Sequence, residues 1–216
     1  MVEFVNDQDR AEAVKKWLSK YAGTIIVGII LGLAAMYGIQ YWQTNQKQDH
    51  EEASMAFQQL IAMPSDQDSK AYIAQAKGIV GNYPKTPYAS LSSFLLAKYY
   101  VDYRQYDNAI SQLQWVLDNG SDKQFKQIAA IRASRIYMFL KQYDKANTVL
   151  DKLYTPSFNV MVDEQRGDIA LAQGNVAKAR DLYAKALEDN PDSSVLQPLL
   201  TTKLHILPEQ SSTGAQ

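Results

Sequence analysis

One uncharged run near the N-terminus limits what this chain can fold into more than any other feature. From Ala22 to Trp42 the sequence reads AGTIIVGIILGLAAMYGIQYW and contains no Asp, Glu, Lys or Arg. As a helix rising roughly 1.5 Å per residue, it is about 31 Å long, close to the roughly 30 Å hydrocarbon core of a bilayer. Aromatic residues lie at both ends, with Trp17 and Tyr21 before the run and Tyr37, Tyr41 and Trp42 in its last part, as at the interfaces of membrane helices. The sequence therefore predicts one transmembrane helix over residues 22–42.

Positive charge is distributed unequally around this segment. Four Lys or Arg residues precede it between positions 10 and 20, whereas Lys47 is the only one between the segment and Lys70. Cytoplasmic flanks of membrane helices carry the excess of Lys and Arg. The distribution predicts a cytoplasmic segment at residues 1–21. Everything after the span is then predicted to lie on the opposite side, which is the periplasm in a bacterium with two membranes.

A cleaved signal peptide is the alternative to a permanent anchor, because Gly32 and Ala34 are small enough to resemble a cleavage site. The apolar region of a signal peptide is about 7–15 residues long, which is shorter than this run. The residues before the run are also acidic as well as basic. An uncleaved anchor is therefore favoured.

Small residues recur at intervals of four within the predicted span. Gly28 and Gly32 form one pair, and Ala34 and Gly38 form a second. In lipid, such pairs let two helix backbones approach closely. The four residues are candidates for packing against another membrane helix, although glycine is frequent enough in membrane helices for the pattern to arise by chance.

The residues just before the span also show a helical pattern. Val14, Trp17, Leu18 and Tyr21 recur at i, i+3, i+4 and i+7. They predict either an amphipathic helix at the inner membrane surface, with lysines near anionic headgroups, or a simple N-terminal extension of the membrane helix.

Helical periodicity continues after residue 43, where three stretches share the spacing of a tetratricopeptide repeat, a helix pair of about 34 residues. At a helix crossing, small residues let the backbones approach while larger residues fill the flanking grooves. The predicted fold is all-α, with a single transmembrane helix followed by a tetratricopeptide-repeat-like α-solenoid of helix pairs. Each stretch has two small residues 12 positions apart: Ala97 and Ala109, Ser134 and Ala146, and Gly167 and Ala179.

Two less regular segments complete the predicted solenoid over residues 43–207. Residues 51–83 resemble a degenerate helix pair, and residues 194–207 resemble a terminal capping helix, giving seven or eight helices in all. Leu153 and Pro191 belong to the second and third repeats. Residues 208–216 are predicted to be a disordered tail.

The composition excludes several kinds of chemistry. There is no cysteine, and the two histidines, His50 and His205, lack metal-ligand spacing. No phosphate loop, nucleophile elbow or HExxH motif occurs, so we expect neither enzyme activity nor a cofactor, metal or small-molecule substrate. A formal net charge of −1 offers no basic field for nucleic acid. The carboxylates of Asp163, Glu164 and Asp168 are expected to be solvated.

Repeat solenoids usually bind partners through a concave face. The inner faces of the first two repeats carry aromatic, Met and basic side chains suited to a polypeptide, although Ile131 and Phe139 could equally be core between repeats. The candidate partner-binding residues are Phe94, Lys98, Arg135, Met138 and Phe139, with Val101, Asp102 and Ile131 beside them.

Four stretches in this order carry a family resemblance: YPKTPYASLSSFLLAKYY at 83–100, LQWVLDN at 113–119, EQRGDIALAQGN at 164–175 and LQPLLTTKLHIL at 196–207. Together with the single span, they resemble the ancillary SecYEG translocon subunits, the YfgM-like proteins. Ser134, where Gly or Ala is usual, and Pro198 in the last helix depart from the pattern.

The resemblance implies a periplasmic repeat domain tethered beside the SecYEG translocon. It implies work on emerging secretory proteins with the membrane-anchored periplasmic chaperone PpiD, and a link to a cytoplasmic response regulator of envelope stress. It implies no catalytic or cofactor residues. Two other functions stay open at this point: a scaffold for envelope assembly, and a regulatory tether whose first twenty residues bind a signalling protein.

Overall fold

The computed structural model describes residues 7–65, 69–152, 155–189 and 196–208, and the statements about the fold concern these residues. They contain helices and no β-strand, so the predicted all-α class is confirmed. Leu153, Pro191, the start of the predicted capping helix at Ser194 and most of the predicted tail, from residue 209, lie outside them. The helices are α1 (Asp7–Ala62), α2 (Lys70–Asn82), α3 (Pro87–Asp102), α4 (Tyr106–Asn119), α5 (Lys123–Phe139), α6 (Tyr143–Asp151), a 3₁₀ turn (Pro156–Phe158), α7 (Asn159–Ala172), α8 (Val176–Glu188) and α9 (Leu196–Ile206).

The chain divides into two compact units, Met1–Glu51 and Glu52–Gln216. In the described part of the first unit, the large apolar side chains from Val14 to Trp42 are exposed on helix α1. One helix of the described chain, within Ile26–Ala62, is long and apolar enough to cross a membrane. Exposing such an apolar surface to water is unfavourable in free energy, whereas lipid accommodates it without this cost.

Helix α1 is continuous from Asp7 through the predicted span, as expected from the second of the two alternatives, an N-terminal extension of that helix. A Cβ added at Gly28, Gly32 or Gly38 would meet no neighbouring atom within 4 Å. The side chain of Ala34 is exposed as well. Packing of these four residues against another helix stays a prediction.

The second unit contains the C-terminal end of α1 and eight further helices, of the residues that the structure describes. Counting the end of α1, the described part of this unit has nine α-helices, one more than the upper number predicted. Each helix from α2 to α9 packs on the next one along the chain, and α7 packs on α5 in addition. The solenoid therefore consists of stacked pairs, with α9 as the terminal helix.

The turn inside each repeat has the same backbone geometry. Arg104, Lys141 and Gly174 occupy equivalent positions and all adopt positive φ, at 57°, 58° and 81°. In each turn the next residue donates its N–H to the carbonyl five residues earlier, at 2.7, 2.8 and 2.9 Å. The left-handed conformation turns the chain so that these N–H groups reach the last carbonyls of the first helix, which ends there.

The small residues lie where the two helices of each repeat meet. Ala97, Ser134 and Gly167 are buried, and each is followed 16 positions later by a buried large residue, Leu113, Leu150 and Tyr183. In the third repeat a Cβ at position 167 would overlap the Tyr183 ring. The third repeat therefore combines the smallest residue, glycine, with the largest partner, tyrosine, as close packing requires.

We predict that Gly167→Ala destabilises the second unit by about 1–2 kcal/mol, because overpacking against a buried ring outweighs the helix propensity of alanine. Replacing Tyr183 by leucine, the residue of the other two repeats, should make the same change less costly. Chemical denaturation of the four proteins of this double-mutant cycle measures the coupling. Equal costs of Gly167→Ala in both backgrounds would contradict the packing argument.

We predict the opposite sign at the equivalent position of the second repeat. The Ser134 hydroxyl is buried and has no hydrogen-bond partner among the described residues. Ser134→Ala removes this unsatisfied group and should stabilise the unit by about 1 kcal/mol. Thermal unfolding followed by circular dichroism measures the shift, and a lower midpoint than that of the parent protein would show that the hydroxyl has a partner.

Candidate functional site

A concave groove of about 290 Å³ opens between α3, α4 and α5 in the second unit. Its floor is apolar, because Phe94, Ala97 and Leu113 belong to one buried cluster of the core. Its rim is cationic. The lining residues are Phe94, Ala97, Lys98, Val101, Leu113, Arg132, Arg135 and Ile136.

The cations around the groove are held in place by specific contacts. The Arg132 guanidinium lies over the Phe94 ring, 4.6 Å from its centroid, in a cation–π arrangement. Arg135 donates from Nε to Oε1 of Gln165 at 3.0 Å. Lys98 Nζ lies 2.6 Å from Oδ2 of Asp102, an exposed pair.

The surroundings change the pKa of two of these groups in opposite directions. Partial burial and the nearby charge of Arg135 lower the pKa of Arg132. The hydrogen bond to Asp102, together with its charge, raises the pKa of Lys98. Both side chains stay protonated at neutral pH, so the groove keeps its positive charge.

The structure brings together three of the five predicted partner-binding residues. Phe94, Lys98 and Arg135 all line the groove. Met138 instead lies against the neighbouring core, where its sulfur accepts from Nε2 of Gln165 at 3.8 Å. Phe139 is 66% exposed and contacts Tyr106 outside the groove, with the two rings tilted to each other and their centroids 5.2 Å apart.

Two details of the inner face differ from what the sequence indicated. The core alternative holds for Ile131, which is buried, but is wrong for the exposed Phe139. Arg132 was not among the predicted residues, although it lies three positions before Arg135 and hence on the same side of α5. This spacing of three residues was the feature of the sequence from which Arg132 could have been predicted.

The expectation of solvated carboxylates on α7 is wrong. Asp163 and Glu164 are only 4% and 5% exposed, because α7 packs against α5 as well as α8. Lysines from the following helices neutralise them. Lys185 Nζ lies 2.7 Å from Asp163, and Lys203 Nζ lies 2.6 Å from Glu164.

Lys203 joins helix α9 to two carboxylates of α7 at once. Besides Glu164, its Nζ contacts both oxygens of Asp168, at 2.5 and 2.7 Å. The Tyr183 hydroxyl donates to Asp168 at 2.6 Å, and burial, followed by this hydrogen bond, raises the pKa of Tyr183. We call Asp163, Glu164, Asp168, Tyr183, Lys185 and Lys203 the α7 charge cluster.

The α7 charge cluster is structural in character. Each of its carboxylates is already bound by a lysine, so none is free to act as a general base. Within the described ranges, no group of His, Cys, Asp and Glu is arranged to hold a metal ion. The groove, rather than this cluster, is the surface suited to a partner.

Comparison with known proteins gives one consistent result. A family model described as a tetratricopeptide repeat-like domain matches residues 15–209. The chain is 30% identical over 187 residues to the Ancillary SecYEG translocon subunit of Escherichia coli (strain K12), covering 87% of this chain and 90% of that protein.

Two further relatives carry the same name. The Haemophilus influenzae protein is 29% identical over 207 residues, and the Neisseria gonorrhoeae protein is 26% identical over 208 residues. Each match covers 96% of this chain and 100% of the relative. No solved structure matches the chain significantly.

We predict that Lys203→Met lowers the stability of the second unit by about 2 kcal/mol or more, because it removes the closest cation from the buried carboxylate of Glu164. Lys98→Met is the matched control. It breaks a lysine–carboxylate contact of similar length, but the two side chains are 71% and 51% exposed, so the cost should be about 0.5 kcal/mol or less. Equal losses in denaturant titrations would contradict the role of burial.

Proposed function

This chain belongs to the tetratricopeptide repeat-like family of ancillary SecYEG translocon subunits, and from this premise we propose that it is a non-enzymatic accessory protein of the Sec translocon. The observation that carries the proposal is the extent of the similarity. It covers nearly the whole of this chain and of its relatives, and so includes both the apolar helix and the repeats.

The proposed location is the bacterial inner membrane. The single apolar helix of the described chain supports anchoring, and the Lys and Arg residues before it support a cytoplasmic N-terminus. Residues 43–207 then form a periplasmic domain, where an extracytoplasmic polypeptide can reach the groove. The small residues Gly28, Gly32, Ala34 and Gly38 offer a surface for a helix of the translocon.

The proposed role of the repeat domain is to bind polypeptides near the exit of the translocon. Its groove combines an apolar floor with a cationic rim, and interfaces that recognise polypeptides are built from aromatic anchors and arginines. In this way the protein links the translocon to a periplasmic chaperone such as PpiD and to secretory clients. A fixed envelope scaffold would use the same groove independently of export.

Site-specific photocrosslinking in intact cells tests this proposal. A photoreactive residue at Met36 should capture a translocon subunit, because this side chain is exposed on the proposed membrane helix. The same residue at Lys98, on the groove rim, should capture a periplasmic polypeptide. Ser111, exposed on α4 outside the groove, is the matched control and should capture far less.

The export dependence of the products distinguishes the two roles. When secretion is blocked, the products at Lys98 should change if the protein assists export, and should stay the same if it is a fixed scaffold. Recovery of no translocon subunit from Met36 or from other exposed positions of the membrane helix would refute the accessory role.

A further inference from the structure

We propose that the groove between α3, α4 and α5 binds an extended polypeptide segment in which an apolar side chain lies next to a carboxylate. The inference rests on the proposed function and deepens it, because it states which chemistry the repeat domain recognises in its partners. Three features of the groove carry it: its size, its charge and the incomplete pairing of its arginines.

The size and floor of the groove suit one or two apolar side chains. Its volume of about 290 Å³ is at the lower limit of the roughly 300–1,000 Å³ typical of ligand pockets. Phe94, Ala97 and Leu113 form a floor that is 6% exposed or less. Burying a Leu or Phe side chain on this floor removes apolar surface from water, which anchors an extended segment.

The charge of the groove is complementary to an anion. The described lining residues include Lys98, Arg132 and Arg135 and no carboxylate. Two acidic residues lie next to this surface: Asp102, which is paired with Lys98, and Glu164, whose Oε2 is 3.9 Å from Arg135. Glu164 is already bound to Lys203 at 2.6 Å, so it neutralises Arg135 only in part.

Arg132 and Arg135 hold two guanidinium charges three residues apart on α5. Neighbours at this spacing repel when their charges are alike. Partial burial of Arg132 and, after it, the charge of Arg135 lower the pKa of Arg132, so the charged form of this side chain is held at a cost in free energy. A carboxylate between them relieves this cost, and planar guanidinium groups bind carboxylates with two parallel hydrogen bonds.

Arg135 keeps donors for such a ligand. Its hydrogen bond to Gln165 uses Nε, and the nearest carboxylate to Nη2, at 3.9 Å, is beyond hydrogen-bond distance. The Lys98–Asp102 pair is mostly exposed, so exchanging Asp102 for a ligand carboxylate costs little. An anionic lipid headgroup has the same charge but places no side chain in the apolar floor, which favours a peptide.

Fluorescence anisotropy with the full chain in phosphatidylcholine nanodiscs tests the inference. One probe is a fluorescein-labelled peptide with Leu and Phe flanked by Glu in a Gly-Ser frame. The matched probe has Gln at each Glu. The Glu peptide should bind at least ten-fold more tightly than the Gln peptide, because only a carboxylate forms charge-assisted hydrogen bonds with the two arginines.

Variants connect the binding to the groove. Arg132→Gln and Arg135→Gln should each weaken the Glu peptide about ten-fold and leave the Gln peptide unchanged. Arg132→Lys keeps the charge and should lose less. Lys123→Gln, the same change in charge at the exposed start of α5, is the control and should have no effect. Unaltered circular dichroism shows that a variant is folded.

Three outcomes would overturn the inference: equal binding of the two peptides, unchanged affinity in both arginine variants, or binding of phosphatidylglycerol vesicles that depends on these arginines without any binding of the peptide. The proposed function fails separately. If Met36 still crosslinks to a translocon subunit while the Glu peptide does not bind, only the assignment of the groove is lost.

Discussion

The close approach of the two helices within each repeat is the contact on which the second unit depends. It requires a residue without a large side chain at Ala97, Ser134 and Gly167, and the large residue 16 positions later fills the space beside it. The overlap that a Cβ at Gly167 would make with Tyr183 shows how tight the contact is. Because the spacing recurs, the helices of successive repeats meet their neighbours in the same register, and their turns share the same hydrogen bonds.

This register also determines where charge is placed. The residue directly after each small residue is charged, namely Lys98, Arg135 and Asp168. In the third repeat Lys203 from α9 binds Asp168, so this position is satisfied within the chain. In the first two repeats the equivalent cations line the groove instead. Helix α9 thus neutralises the acidic residue of the third repeat, whereas the basic residues of the first two repeats stay at the surface of the groove.

Much of this organisation could be predicted from the sequence, since it depends on periodic positions. The interval of 12 between small residues predicted the helix pairs, and the inner-face residues Phe94, Lys98 and Arg135 do lie together. Met138 and Phe139 could not be placed in the same way. Each residue turns by about 100° around a helix, so adjacent residues on α5 face different neighbours, a buried core for Met138 and solvent for Phe139.

The error at Asp163 and Glu164 has a different physical cause. A charged residue on a helix is usually solvated, and its own sequence neighbourhood does not reveal that a lysine 22 or 39 positions later will neutralise it. Burial there depends on how α7 packs between α5 and α8, which is a property of the assembled solenoid. Local periodicity predicts which residues share a helix face. Which other helix packs against that face follows only from tertiary packing.

On the proposed function, anchoring in the membrane changes how much affinity a groove of this size needs. A binding site of about 290 Å³ engages one or two side chains, so its interaction with a free peptide is weak by comparison with a full protein–protein interface. On the proposed function, the membrane helix holds the groove near the emerging polypeptide, where the effective concentration of a tethered partner reaches about the millimolar range. Weak, rapidly reversible binding is then sufficient. On the same proposal it is also an advantage, because a chain in transit must be released, and a groove with the proposed preference for an apolar side chain beside a carboxylate can engage many sequences in turn.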